Sequence, residues 1–121
     1  MSMDSSSDRA LRRGMVAWAD LDPSQGREQA GRRPVLVIAS DMFLQQADSL
    51  AIIVPATTTD RDWPNHIRLR GDLPGLSSPT FAMAEQPRTI SRDRIVGVAG
   101  IVDRPTMREV DTWLRDFLSL Y

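Results

Sequence analysis

Apolar residues come in short bursts along this chain, and their spacing changes from one burst to the next. Between Met15 and Leu21 they alternate, with Val16, Trp18 and Asp20 on one side and Ala17, Ala19 and Leu21 on the other. That period of two predicts a strand with at least one buried face. Residues 35–40 are apolar until the last one and read as a buried strand, opened by Pro34 where a missing N–H is tolerated. Ser40 or Asp41 can cap a short helix running through Asp48. Residues 50–59 predict another buried strand, whose second half Pro55 demotes to an edge or a bend. In residues 66–70, Ile67 and Leu69 point inward and His66, Arg68 and Arg70 outward. Residues 80–86 and 95–102 complete the strands. The period then becomes helical. Met107, Val110, Leu114, Phe117, Leu118 and Tyr121 form one stripe, with Trp113 beside it, Asp103 as the cap and Pro105 in the first turn. This helix is expected to pack on the sheet or on a second subunit.

The stretches at 22–34, 60–65 and 71–79 are rich in Gly, Pro, Asp and Ser and read as loops. Five or more short, mostly antiparallel strands and a terminal helix make the chain mainly β (α+β), a small barrel or curled sheet. Its 121 residues suit one compact domain. Residues 1–13 are polar and serine-rich and are expected to be a disordered tail, leaving 14–121 as the domain.

Composition narrows the chemistry. There is no apolar leader and no run long enough to span a bilayer, so a soluble cytoplasmic protein without a membrane partner is expected. A net charge of −1 argues against a protein that coats nucleic acid by bulk positive field, though a local cluster can still touch a few phosphates. All fifteen basic residues are arginine and none is lysine, which fits a GC-rich coding bias and excludes a P-loop nucleotidase. Without cysteine or an HExxH pattern, no usual zinc site is available. His66 is the one histidine, which rules out a two-histidine acid–base pair within one chain. Asp60, Asp62 and His66 are close in sequence, but a solvated turn is the favoured reading over a metal site. No cofactor and no metal are expected.

Arginine, a few carboxylates and hydroxyls remain. Arg32 and Arg33 stand at the start of the strand 35–40, and Thr57, Thr58 and Thr59 at the end of the strand 50–59. A row of threonines is usually a strand-forming feature, and it becomes chemical only if Arg33 lies beside it. A guanidinium fork and a hydroxyl suit a phosphodiester. RNA carries its own nucleophile, the 2′-hydroxyl, so RNA cleavage through a cyclic phosphate is a reaction that this set could perform without a metal.

The runs MVAWADLDPSQGREQAGRRPVLVIAS, IIVPATTT and AEQPRTI followed by IVGVAGIV resemble the MazF/PemK family of toxin endoribonucleases, from about residue 13 to the C-terminus. The resemblance implies an SH3-like curled antiparallel barrel, a homodimer, and metal-independent cleavage of single-stranded RNA at short sequences, leaving 2′,3′-cyclic phosphate and 5′-hydroxyl ends. It also implies a MazE-like antitoxin partner whose acidic tail lies over the RNA groove. Carried over, the catalytic positions are Arg33, Thr57 and Glu28. Arg33 would clamp the scissile phosphate, Thr57 would donate to a phosphate oxygen, and Glu28 would serve as base toward the 2′-hydroxyl or pair with Arg27 or Arg32. Gln29, Arg32, Thr58, Trp63 and Gln86 are candidate RNA contacts. The Kid/PemK branch places an arginine and an aspartate where this chain has Met83 and Glu85, so the chain resembles the MazF branch more closely. Glu85 is expected to be a stand-in carboxylate or a structural residue. The competing expectations are a non-enzymatic CcdB-like toxin and an inactive SH3-like binding module.

Overall fold

The computed structural model describes residues 10–21 and 32–120. Its elements are β1 (Met15–Asp20), β2 (Arg32–Val37), α1 (Asp41–Gln46), β3 (Leu50–Thr57), β4 (His66–Arg68), β5 (Gly71–Asp72), β6 (Phe81–Met83), β7 (Arg88–Ser91), β8 (Ile95–Val102) and α2 (Arg104–Leu118), with a 3₁₀ turn at Arg92–Arg94. The described strands form one curled antiparallel sheet in the order β4-β6-β3-β2-β1-β8-β5, with β7 pairing β3.

Alternation along the central strands sends side chains into two cores. Val16, Leu36, Val54, Ala56, Ile67 and Ala82 pack with Val110 and Leu114 of α2. On the opposite face, Ala17, Ala19, Val35, Val37, Ala51 and Ile53 pack with Leu44 of α1, Ile90 and Leu11. A sheet covered on both faces needs apolar residues at consecutive positions, which is why Val35–Val37 shows no alternation. Leu11 is buried, and Arg13 forms a 2.5 Å ion pair with Asp111 of α2 while its backbone N–H donates to Asp41 at 2.8 Å. Packing thus reaches three residues into the stretch expected as a tail.

Both helices begin as their caps predict. The Ser40 hydroxyl accepts from the N–H of Phe43, and Asp103 accepts from the N–H of Thr106, with Pro105 in the first turn of α2. Ser119 closes α2 with φ 56°, the left-handed geometry of a helix stop. Val110 and Leu114 of the predicted stripe are buried, whereas Phe117 and Leu118 stay exposed. Tyr121 lies outside the described residues.

Two local expectations need correction, and one strand was not expected. Pro55 does not place the second half of β3 at an edge. Leu50–Ile53 pairs with β7 and Ala56–Thr57 with β6, while β2 holds the other edge. Pro55 falls at the gap between those two partners, where no ladder bond is asked of it. Residues 71–79 contain β5, which pairs with Ile101 and Val102. Residues 88–91 form β7, which the β-branched Thr89 and Ile90 could have signalled.

Candidate active site

The site is built where β2 begins and β3 ends. The β2–β3 ladder pairs Val35 with Pro55, Leu36 with Val54 and Val37 with Ile53. Carried two residues further, that register sets Arg33 opposite Thr57. Residues directly opposite each other share a face of the sheet, so the guanidinium and the hydroxyl emerge side by side. Both line a cavity of about 320 Å³ together with Arg32, Thr58 and Trp18. The segment Leu76–Ser78 and Thr80 close its far wall. Among the described residues these walls carry two guanidinium groups, five hydroxyls and no carboxylate. Such a lining attracts an anion and donates hydrogen bonds to it.

Thr57 is held in a donor-ready state. Its Oγ1 accepts from the N–H of Thr59 at 3.1 Å. The accepted bond fixes the oxygen and leaves the hydroxyl proton free for a ligand. Arg32 and Arg33 are exposed, and the β1 ladder places Asp20 across from Arg32 and Ala19 across from Arg33. A larger hollow of about 520 Å³ lies between α1 and the end of α2, lined by Ile38, Phe43, Ile52 and Leu118 among others. It holds none of the predicted site residues, and its apolar walls offer less to a phosphodiester.

Arg32, Arg33, Thr57 and Thr58 are therefore brought together. Trp63 and Gln86 are not with them. β6 pairs Phe81 with Thr57, so Met83 and the residues after it lie toward the opposite end of that strand. Glu28 and Gln29 lie outside the described residues.

At the far end of β6 stands a network that the alternation pattern missed. His66, expected outward, is buried. Its Nε2 lies 3.0 Å from Glu85 Oε2, and Asn65 Nδ2 donates to Glu85 Oε1 at 2.7 Å. Gln86 Nε2 also donates to Glu85, at 3.2 Å. The half-exposed Trp63 ring covers His66 at 4.8 Å between centroids. Glu85 thus ties the 58–65 loop to the end of β6. Partial burial pushes its carboxyl up. The hydrogen bonds from His66, from its own backbone and from Gln86 outweigh that, so it titrates below the ordinary glutamate value. His66 Nδ1 is buried without a partner among the described residues. Asp60 accepts from the N–H of Asp62, which sits at φ 59°. That is an Asx turn, and among the described residues no group of three His, Asp or Glu side chains is placed to hold a metal ion.

Comparison with known proteins gives the geometry a family. Endoribonuclease EndoA of Bacillus subtilis is 32% identical over 111 residues, covering 91% of this chain and 96% of EndoA. Endoribonuclease MazF9 of Mycobacterium tuberculosis is 30% identical over 116 residues, covering 92% of this chain and 98% of MazF9. Among solved structures, an endoribonuclease in complex with its cognate antitoxin from Mycobacterial species superposes with a TM-score of 0.72 at 25% identity, covering 93% of this chain and 98% of that one. Residues 12–118 match the family described as PemK-like, MazF-like toxin of type II toxin–antitoxin system, and the chain belongs to that family.

Proposed function

We propose that this toxin-family endoribonuclease cleaves single-stranded RNA at short sequences without a metal ion. The observation that carries the reading is the juxtaposition of Arg33 and Thr57 on adjacent strands, in a cavity whose described walls hold guanidinium and hydroxyl groups. In the reaction the ribose 2′-oxygen attacks the neighbouring phosphorus. The bond from phosphorus to the 5′-oxygen breaks and that oxygen takes a proton from solvent, leaving a 2′,3′-cyclic phosphate and a 5′-hydroxyl. Negative charge grows on the non-bridging oxygens as the attack proceeds. Arg33 meets that charge with a rigid fork and Thr57 with one hydroxyl donor. A guanidinium keeps its proton at any working pH, so the base that takes the 2′-proton is a different group, and Glu28 is assigned that role. Gln29, Arg32 and Thr58 contact the RNA near the cleaved bond. Trp63 and Gln86 contact it further along, where the exposed indole offers a stacking surface for a base.

The protein is further assigned to the cytoplasm, as a homodimer inhibited by a MazE-like antitoxin. The antitoxin-bound mycobacterial endoribonuclease supports that partner. The exposed Phe117, Leu118 and Leu120 near the end of α2 supply apolar surface for self-association.

The test is cleavage of a long single-stranded RNA by the purified protein in EDTA, comparing wild type with Arg33→Ala. Cuts at a short recurring sequence with cyclic phosphate ends, lost in the variant, are expected. A folded protein that leaves the RNA whole would point instead to a target-binding toxin, and inhibition by EDTA would remove the metal-free mechanism.

A further inference from the structure

We infer that the RNA track continues beyond the cleavage cavity to Arg68, which holds a backbone phosphate a short run of nucleotides from the one that is cut. This rests on the proposed reading of the Arg33–Thr57 cavity. Two independent observations lead there.

The first is the register. Thr57 pairs with Phe81, and Phe81 pairs with Arg68. With Arg33 opposite Thr57, one row crosses β2, β3, β6 and β4, and its members project from the same face. Ile67 and Leu69, on either side of Arg68, are buried in the core of the other face. Three strand-to-strand steps put the Arg33 and Arg68 backbones on the order of 14 Å apart. That exceeds the reach of a single phosphate and suits a short stretch of strand.

The second is the shape of the surface. Arg68 lines a hollow of about 270 Å³ that shares Leu76, Ser77, Ser78 and Thr80 with the Arg33–Thr57 cavity. The two hollows therefore meet along one wall, with exposed serine hydroxyls on its rim. Arg68 is exposed, sits on the last strand of the sheet order, and has no side-chain hydrogen bond or ion pair among the described residues. An arginine that stabilises the fold is normally engaged, as Arg13 and Arg92 are here. Arg68 keeps its guanidinium available for a ligand. Such a contact positions the strand and adds affinity without reading sequence.

The experiment measures binding of a long single strand with 2′-deoxy sugars throughout, which has no nucleophile, across a salt series. The proteins are wild type, Arg68→Gln and Arg68→Lys. Loss of one phosphate contact makes the slope of log K against log salt shallower by about 0.7 for a single strand. Arg68→Gln should show that change, and Arg68→Lys should keep the wild-type slope. On cleavable RNA, Arg68→Gln should raise KM for long strands with kcat unchanged, and should match wild type on the shortest strand still cut. An unchanged slope, or a fall in kcat at constant KM, would overturn the inference. A wild type that binds the deoxy strand but cuts no RNA would remove the nuclease reading while the slope still decides Arg68. A wild type that binds neither strand removes both.

Discussion

Arg33 is set apart from the chain's other arginines by what stands opposite it. Arg13, Arg92 and Arg94 spend their guanidiniums on backbone carbonyls or on Asp111, whereas Arg33 stands beside a threonine in a cavity with no carboxylate among its described walls. Removing it should lower the cleavage rate by roughly 10²–10³, the scale of one lost transition-state donor. Single-turnover kinetics would show this, and a loss of only severalfold would return Arg33 to a structural role. Thr57→Ala removes one neutral donor and should cost about tenfold, corresponding to a hydrogen bond of ~1.4 kcal/mol. A larger loss would assign Thr57 more than one donor's work. Glu85 makes a prediction of a different kind. Its carboxyl titrates below the ordinary glutamate value in the folded protein, so its ionised form adds stability above that ordinary value. The contribution fades as pH falls through the lowered one. The gap in melting temperature between wild type and Glu85→Gln should be steady at neutral pH and close in acid. A gap that persisted well below the ordinary glutamate value would contradict the network.

Elements show most directly what the sequence made legible. β1, β2 and β3 were readable because their apolar runs are long, and both helices because Ser40, Asp103 and Pro105 mark their starts. Arg33 and Thr57 were readable as candidates because each borders an apolar strand. Their pairing was not, because register is a tertiary property that spacing along one strand does not encode. His66 was misplaced for a related reason. Alternation describes a strand with one wet face, and His66 is covered by a loop that returns over that face with Trp63. The two-residue β5 was beyond any pattern. It depends on close backbone approach, which Gly71 shows. Gly71 has φ +141°, and a Cβ there would meet Ile101 O at 2.5 Å and Asp103 N at 2.7 Å. Gly71→Ala should therefore destabilise the protein by roughly 2 kcal/mol or more, a fall in Tm on the order of 8 °C. Thermal melts that coincide with wild type would mean that β5 shifts freely from β8.

At the scale of the whole molecule, a net charge of −1 coexists with a local surface that carries Arg32, Arg33 and Arg68. Selectivity for a nucleic acid strand then comes from placement rather than from bulk charge. Among the described residues no helix is long and apolar enough to cross a membrane. The sheet also has an uneven distribution of neighbours. β3 is paired by β2, β7 and β6 and carries apolar side chains into both cores. A strand held on both edges and both faces cannot open alone, so the amide protons of Ile53 and Val54 should exchange with solvent deuterium only through global unfolding. Those of Thr58–Asp62, one step beyond, lie in exposed loop and should exchange orders of magnitude sooner. Thr57 stands at that boundary, so the protein places its hydroxyl on the last residue that the sheet holds in register.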